Sequence, residues 1–266
     1  LVASLTQSVK GDDPVIDRIL VGIDGSGPSI AALHWAIEHA RFSGAGITLE
    51  HVARDDGDDV AEALLDDAAT ECLARGFDTD RVLARGVPEQ VLVTDAAPGD
   101  LLVIGTHKTG FLRSRVLGMR TVAIATAARS SVVIVPELYS SRVNRVVVGV
   151  ALGDRSRDAI VAGATEAARG NHELSLVHAS TDAENNEECH ALLEWAADVA
   201  TTAAPTVTIR RRVSHRRCAD ALLDASRVAS LLVIGADSAE GEVAGRIGTV
   251  THEVVLNLNS PVLIVR

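Results

Sequence analysis

The sequence predicts an α/β protein: two tandem, open, mostly parallel five-stranded sheets, each with helices on both faces. Three observations predict it. Apolar, strand-like runs alternate with segments of helical periodicity. The run LLVIG occurs twice, at 101–105 and at 231–235. Four segments of the first half also return in the same order in the second, the mark of an internal duplication.

RILVGIDG opens the first half as a strand, and GPSIAALHWAIEHARFSG follows with apolar residues at helical spacing. Ser26 suits the N-cap and Pro28 the first helical turn. Gly44 and Gly46 end that helix, and ITLEHV supplies the second strand. A helix is expected over 60–74, then DRVLARG as a shorter strand and PEQVLVTDAA as a helix. DLLVIG makes the fourth strand, 116–128 the last helix and SVVIVP the fifth strand. In the second half RVVVGVALG matches RILVGIDG, and ELSLVHA matches ITLEHVA. SLLVIG and SPVLIVR match DLLVIG and SSVVIVP. Gly149 follows Gly22, and His178 follows His51, by 127 residues, while the two later matches are offset by 130. The expected organisation is a loose arm over 1–14, a first domain over 15–138 and a second over 139–266. The stretch ELYSSRVN between them is too short for a wandering linker. Both late segments are apolar and exposed sheet edges seek cover, so the two halves are expected to pack as a pseudo-dimer.

Composition narrows the function. Hydrophobic residues make up 47% of the 266, but aromatics only 2%. The cores must therefore be built from Val, Ile, Leu and Ala, as in buried parallel sheets. The net charge of −11 and the absence of long basic runs argue against nucleic acid, whose binding neutralises many phosphates. A small anion needs only local donors and is not excluded. No segment reaches the roughly 20 apolar residues of a membrane span. Three isolated cysteines make no disulfide framework, and a cytoplasmic setting is expected. His and Cys spacing gives no metal site, and neither a G-x-S-x-G nucleophile turn nor a G-x-x-x-x-G-K-[ST] loop is present. No catalytic residue is therefore assigned, although these absences do not bear on slow ATP hydrolysis.

The stretch GTHKTGFLRSRVLG, starting at Gly105, follows the fourth strand without a gap. In an open parallel sheet, ligands bind beyond the carboxyl ends of the strands, where the strand order reverses. Backbone N–H groups around Gly105, Thr109 and Gly110, and the helix start near Gly118, could converge on phosphate oxygens there. Lys108 could add a cation. The alternative is that the glycines serve only a tight turn and close helix packing.

The order VGIDGS, a strand ending at Val52, ARGVP, DLLVIG, the glycine-rich loop and VVIVP resembles the universal stress protein family. The second half, from VVVGV to PVLIV, resembles it too, so the likeness covers about 16–266. The resemblance implies a Rossmann-like, adenine nucleotide alpha hydrolase-like fold. It also implies ATP, alone or with Mg2+, bound through G-x-x-G-x9-G-[ST], although some members bind none. Dimers are common in the family, and tandem members place their halves like the two subunits of a dimer. Regulatory roles under stress are typical, and a defined catalytic reaction is not.

Carried onto this sequence, the first-half site would comprise Gly22, Ile23 and Asp24 at the first strand end, Val52 on the adenine side, and Gly86. The loop would add Gly105, Thr106, Lys108, Thr109, Gly110, Gly118, Met119 and Thr121. Lys108 stands at the second glycine position and Met119 at the Ser/Thr position, whose hydroxyl its thioether cannot replace. The second half keeps Gly149, Gly235, Gly248, Thr249 and Thr251, with Ser238 at the second glycine position. Ala151 and Arg216 replace Asp24 and Gly86, Ser230 replaces Asp100, and Asp237, Glu240 and Glu242 would oppose phosphate. The expected function is an ATP-binding regulatory protein with its better site in the first half. The expected partners are an adenine nucleotide, a regulatory protein and a second copy in a homodimer. The competing expectation is a nucleotide-independent interaction scaffold.

Overall fold

The computed structural model describes residues 16, 18–54, 57–106, 115–139, 143–181, 186–236 and 247–266. The first half contains β1 (Arg18–Gly22), α1 (Gly27–Ser43), β2 (Gly46–Ala53), α2 (Asp58–Ala74), β3 (Thr79–Arg85), α3 (Pro88–Asp95), β4 (Leu101–Thr106), α4 (Arg115–Ala127) and β5 (Ser131–Pro136). The second contains β6 (Arg145–Gly149), α5 (Asp154–Arg169), β7 (Glu173–Ala179), α6 (Asn186–Ala203), β8 (Ile209–Ser214), α7 (Cys218–Ser226), β9 (Leu231–Gly235), α8 (Thr249–Asn257) and β10 (Val262–Val265).

Local chemistry sets the element ends. Ser26 accepts from the Ser29 backbone N–H at the start of α1, and Pro28 sits in its first turn. Gly44 closes the helix at φ 73°, a left-handed conformation that favours glycine. The strands run apolar on consecutive residues because both sheet faces are covered. Ile19 and Val21 face a core shared with α1, α2, α5 and α6, while Leu20 faces one shared with α3, α4, α7 and α8.

The expectation of two separate sheets is corrected here. All ten strands form one sheet, in the order β3-β2-β1-β4-β5-β10-β9-β6-β7-β8. Every neighbouring pair is parallel except β5–β10, which is antiparallel, with Val262 opposite Ile134 and Ile264 opposite Val132. The physical reason is the edge problem: β5 and β10 would each leave a row of unpaired backbone groups beside apolar side chains, and pairing satisfies both rows. Both cores cross this seam. One holds Val133, Val135, Leu263 and Val265, and the other Val132, Ile134, Val262 and Ile264.

Strand order within the halves is 3-2-1-4-5 and 8-7-6-9-10, so each reverses direction beside its first strand, between β1 and β4 or between β6 and β9. Because the seam is antiparallel, the carboxyl ends of the two sets of strands open at opposite ends of the sheet.

Candidate functional site

At the first switch point β1 ends at Gly22, and a tight loop carries Asp24 into α1. Asp24 is exposed, and its Oδ1 accepts from the Ser26 N–H at 3.0 Å and from the Ser26 hydroxyl at 2.5 Å. The carboxylate thus holds the capping serine while facing solvent at the strand ends. Ile23 is buried, and its N–H donates to the Glu50 carbonyl at 2.8 Å. Backbone groups of a parallel strand turn alternately to its two neighbours. The Val52 peptide groups, two residues beyond Glu50, therefore face the same gap, past the last β1 residue paired with β2.

His51 Nδ1 donates to the Ile23 carbonyl at 2.7 Å, tying the end of β2 to this loop. A carbonyl can only accept, so Nδ1 carries the proton. The second half repeats the tie, with His178 Nδ1 on the Val150 carbonyl at 2.9 Å. These histidines hold strand ends together, a role their place in the sequence only hinted at.

Gly86 has φ 139°, which an L side chain rarely adopts, and its N–H reaches the Ala53 carbonyl at 3.2 Å. Arg216, at the matching place, instead pairs with Asp224 of α7. Where the first half has Asp24, the second has Ala151, whose N–H donates to the buried Ser156 hydroxyl at 2.9 Å. The second loop is thus closed by a hydroxyl rather than by a carboxylate.

The loop glycines have a packing role. A Cβ on Gly105 would fall on the Pro28 carbonyl at the start of α1, and one on Gly235 would lie 2.8 Å from the Arg155 carbonyl oxygen. Gly22 and Gly149 admit Leu92 and Leu222, each 3.2 Å from a hypothetical Cβ. Beyond Gly105, Thr106 and Thr121 are buried, and the Thr121 hydroxyl donates to the Thr106 hydroxyl at 3.3 Å. Gly118 lies within α4, and Met119 beside it is exposed. In the second half Gly248 N-caps α8 without a side-chain cap, Thr249 is exposed, and Thr251 is buried with its hydroxyl 3.5 Å from the Gly235 carbonyl. Lys108, Thr109, Gly110 and Ser238 lie outside the described residues.

Asp100 takes no part in this site. It sits at the other end of β4 and pairs with Arg18 at 2.5 Å. Among the described residues no cluster of His, Cys, Asp or Glu is placed to hold a metal, and no helix is long and apolar enough to cross a membrane.

Residues 16–136 match the model of the universal stress protein family. Over that segment the chain is similar to the universal stress protein family. A universal stress protein of Mycolicibacterium smegmatis (strain ATCC 700084 / mc(2)155) is 25% identical over 284 residues, covering 93% of this chain and 96% of the relative. The crystal structure of a universal stress protein from Archaeoglobus fulgidus DSM 4304 has a TM-score of 0.78, with 14% identity, over 94% of this chain and 98% of that one. The cytoplasmic domain of a prokaryotic cation chloride cotransporter has a TM-score of 0.56 and 12% identity, over 93% of this chain and 94% of that one. At such identities the structural likeness is one of fold. The universal stress protein fold, with doubled strands and helices, thus extends over nearly the whole chain.

Proposed function

We propose that this protein is an ATP-binding regulatory module, made of two universal stress protein domains in tandem and with its dominant nucleotide site in the first. The observation that carries the reading is the asymmetry of the two switch points. The first combines the exposed Asp24 carboxylate, the Val52 peptide groups facing the gap, and Gly86 at a φ only glycine takes easily. These groups fit a nucleoside: a carboxylate accepts from ribose or base donors, and the N–H and C=O of a strand end can pair with adenine. The triphosphate, alone or with Mg2+, would lie toward Gly105 and the start of α4, away from Asp24, whose charge would repel it.

The second domain has Ala151 and the paired Arg216 in these places and is the weaker site. Its matching strand order, the His178 tie and the close packing at Gly235 support its reading as a duplicate. A role in stress regulation follows from the family, through a protein partner or a second copy, in a cytoplasmic setting and with no dedicated catalytic step.

A scaffold without nucleotide is the second reading, favoured by the exposed Met119 where a hydroxyl is expected. Two measurements decide. Mass spectrometry of the purified, denatured protein detects retained nucleotide. Calorimetric titration with ATP and magnesium then compares Gly118→Asp with Gly248→Asp, both checked for folding by circular dichroism. Gly118→Asp should cause the larger loss of binding. Loss only in Gly248→Asp reverses the assignment of the dominant site, and no binding by the wild type at millimolar ATP favours the scaffold.

A further inference from the structure

We propose that Arg266, supplied by the second half, is the positioning residue for helix α4 of the first half. The affinity part of this proposal rests on the nucleotide reading above, because α4 carries Gly118, Met119 and Thr121.

An α-helix leaves its last four carbonyls without partners, and its C-terminus favours a cation. α4 meets both needs from across the seam. The antiparallel pairing of β10 with β5 carries Arg266, just past β10, to the end of α4. There a guanidinium nitrogen donates to the carbonyls of Ala125 and Thr126, the latter at 3.2 Å, while the Arg266 backbone N–H donates to the Ser131 hydroxyl at 3.3 Å. Arg266 is thus fixed at backbone and side chain, and two hydrogen bonds to one cation fix the helix axially. Thr121 lies one turn from Ala125, about 6 Å along the axis. A shift of the capped end therefore moves the Thr121–Thr106 hydroxyl pair and the Gly118 end beyond it. The place 130 residues earlier is Pro136, which has no side-chain donor, so the grip from this position runs one way. α8 also packs on α4, and the test must separate that contact from the cap.

The test uses the full chain with Arg266→Ala and Arg266→Lys. Amide hydrogen exchange of the last α4 turn needs no ligand and comes first. Arg266→Ala should speed it by about tenfold with β1 and β4 unchanged, and Arg266→Lys should recover most of the protection. Unchanged exchange in α4 overturns the proposal, as does an equal loss throughout the sheet, which marks a merely structural role. In calorimetry with ATP and magnesium, Arg266→Ala should raise Kd by roughly five- to tenfold and Arg266→Lys by less than about twofold. A loosened α4 with unaltered Kd overturns the link to the site. Wild-type protein that binds no ATP overturns the nucleotide reading instead, while the exchange result still decides whether Arg266 holds the helix.

Discussion

Glu50 lies in mid-strand on β2 and is only 1% exposed. Burial pushes its pKa up to about 8, Asp95 adds to the rise, and Arg18 opposes it. The sign follows from linkage. Between the ordinary value of 4.5 and about 8 the folded chain holds a proton that the unfolded chain has released, so stability falls as pH rises through that window. Glu50→Gln removes this dependence. It should match or slightly trail the wild type near pH 4.5 and exceed it by on the order of 3 kcal/mol at pH 8. Urea denaturation at several pH values checks this, and parallel pH profiles for the two proteins would refute it. The sequence did not reveal Glu50, because a strand covered on both faces has no alternation for a buried acid to break. Its counterpart Val177, in register with Gly149 as Glu50 is with Gly22, shows that the fold does not need an acid there. His39 was hidden for a related reason. Its partner Glu166 lies at 3.1 Å on α5, in the other half of the chain, so spacing along α1 says nothing about it.

At the level of elements the strands were almost fully legible. SVVIVP became β5 residue for residue, and the α1 boundaries followed Ser26, Pro28 and Gly44. These signals are local, each set by an adjacent cap, turn or apolar run. What the glycines do was legible only as two alternatives, since packing and ligand approach both demand a missing side chain. The structure demonstrates the packing. Gly105→Ala would drive a methyl into the Pro28 carbonyl and should cost about 2–4 kcal/mol in urea denaturation. Gly235→Ala, whose Cβ meets the Arg155 carbonyl at 2.8 Å, should cost less. An equal, small loss in both would show that the start of α1 yields easily.

The whole molecule is organised by the β5–β10 seam, where two expected sheets become one. Contact between the halves was expected at these edges, but not their pairing into one sheet, because SVVIVP and SPVLIVR are as apolar as strands buried within a single sheet. Across the seam, His39 and Glu166 form a buried pair in which burial pushes the Glu166 carboxyl up but His39 and Arg169 hold it below its ordinary value. With two continuous cores, the halves should unfold together. The two tryptophans report each half separately, Trp35 from α1 and Trp195 from α6. Single-tryptophan variants, Trp35→Phe and Trp195→Phe, should give coincident fluorescence transitions. Val133→Asp, which places a charge opposite Leu263 within one of those cores, should shift both together by more than about 4 kcal/mol. Transitions that separate in the parent variants would show two independent folding units.

The reversal of strand direction at the seam also decides what a large partner can touch. A broad surface laid against the loops at one end of the sheet meets the strand mouths of one half only. The other mouths lie across the length of the strands, four to eight residues, or about 13–26 Å, and open away from that surface. Whatever meets the molecule at one end therefore leaves the strand mouths of the other half facing solvent.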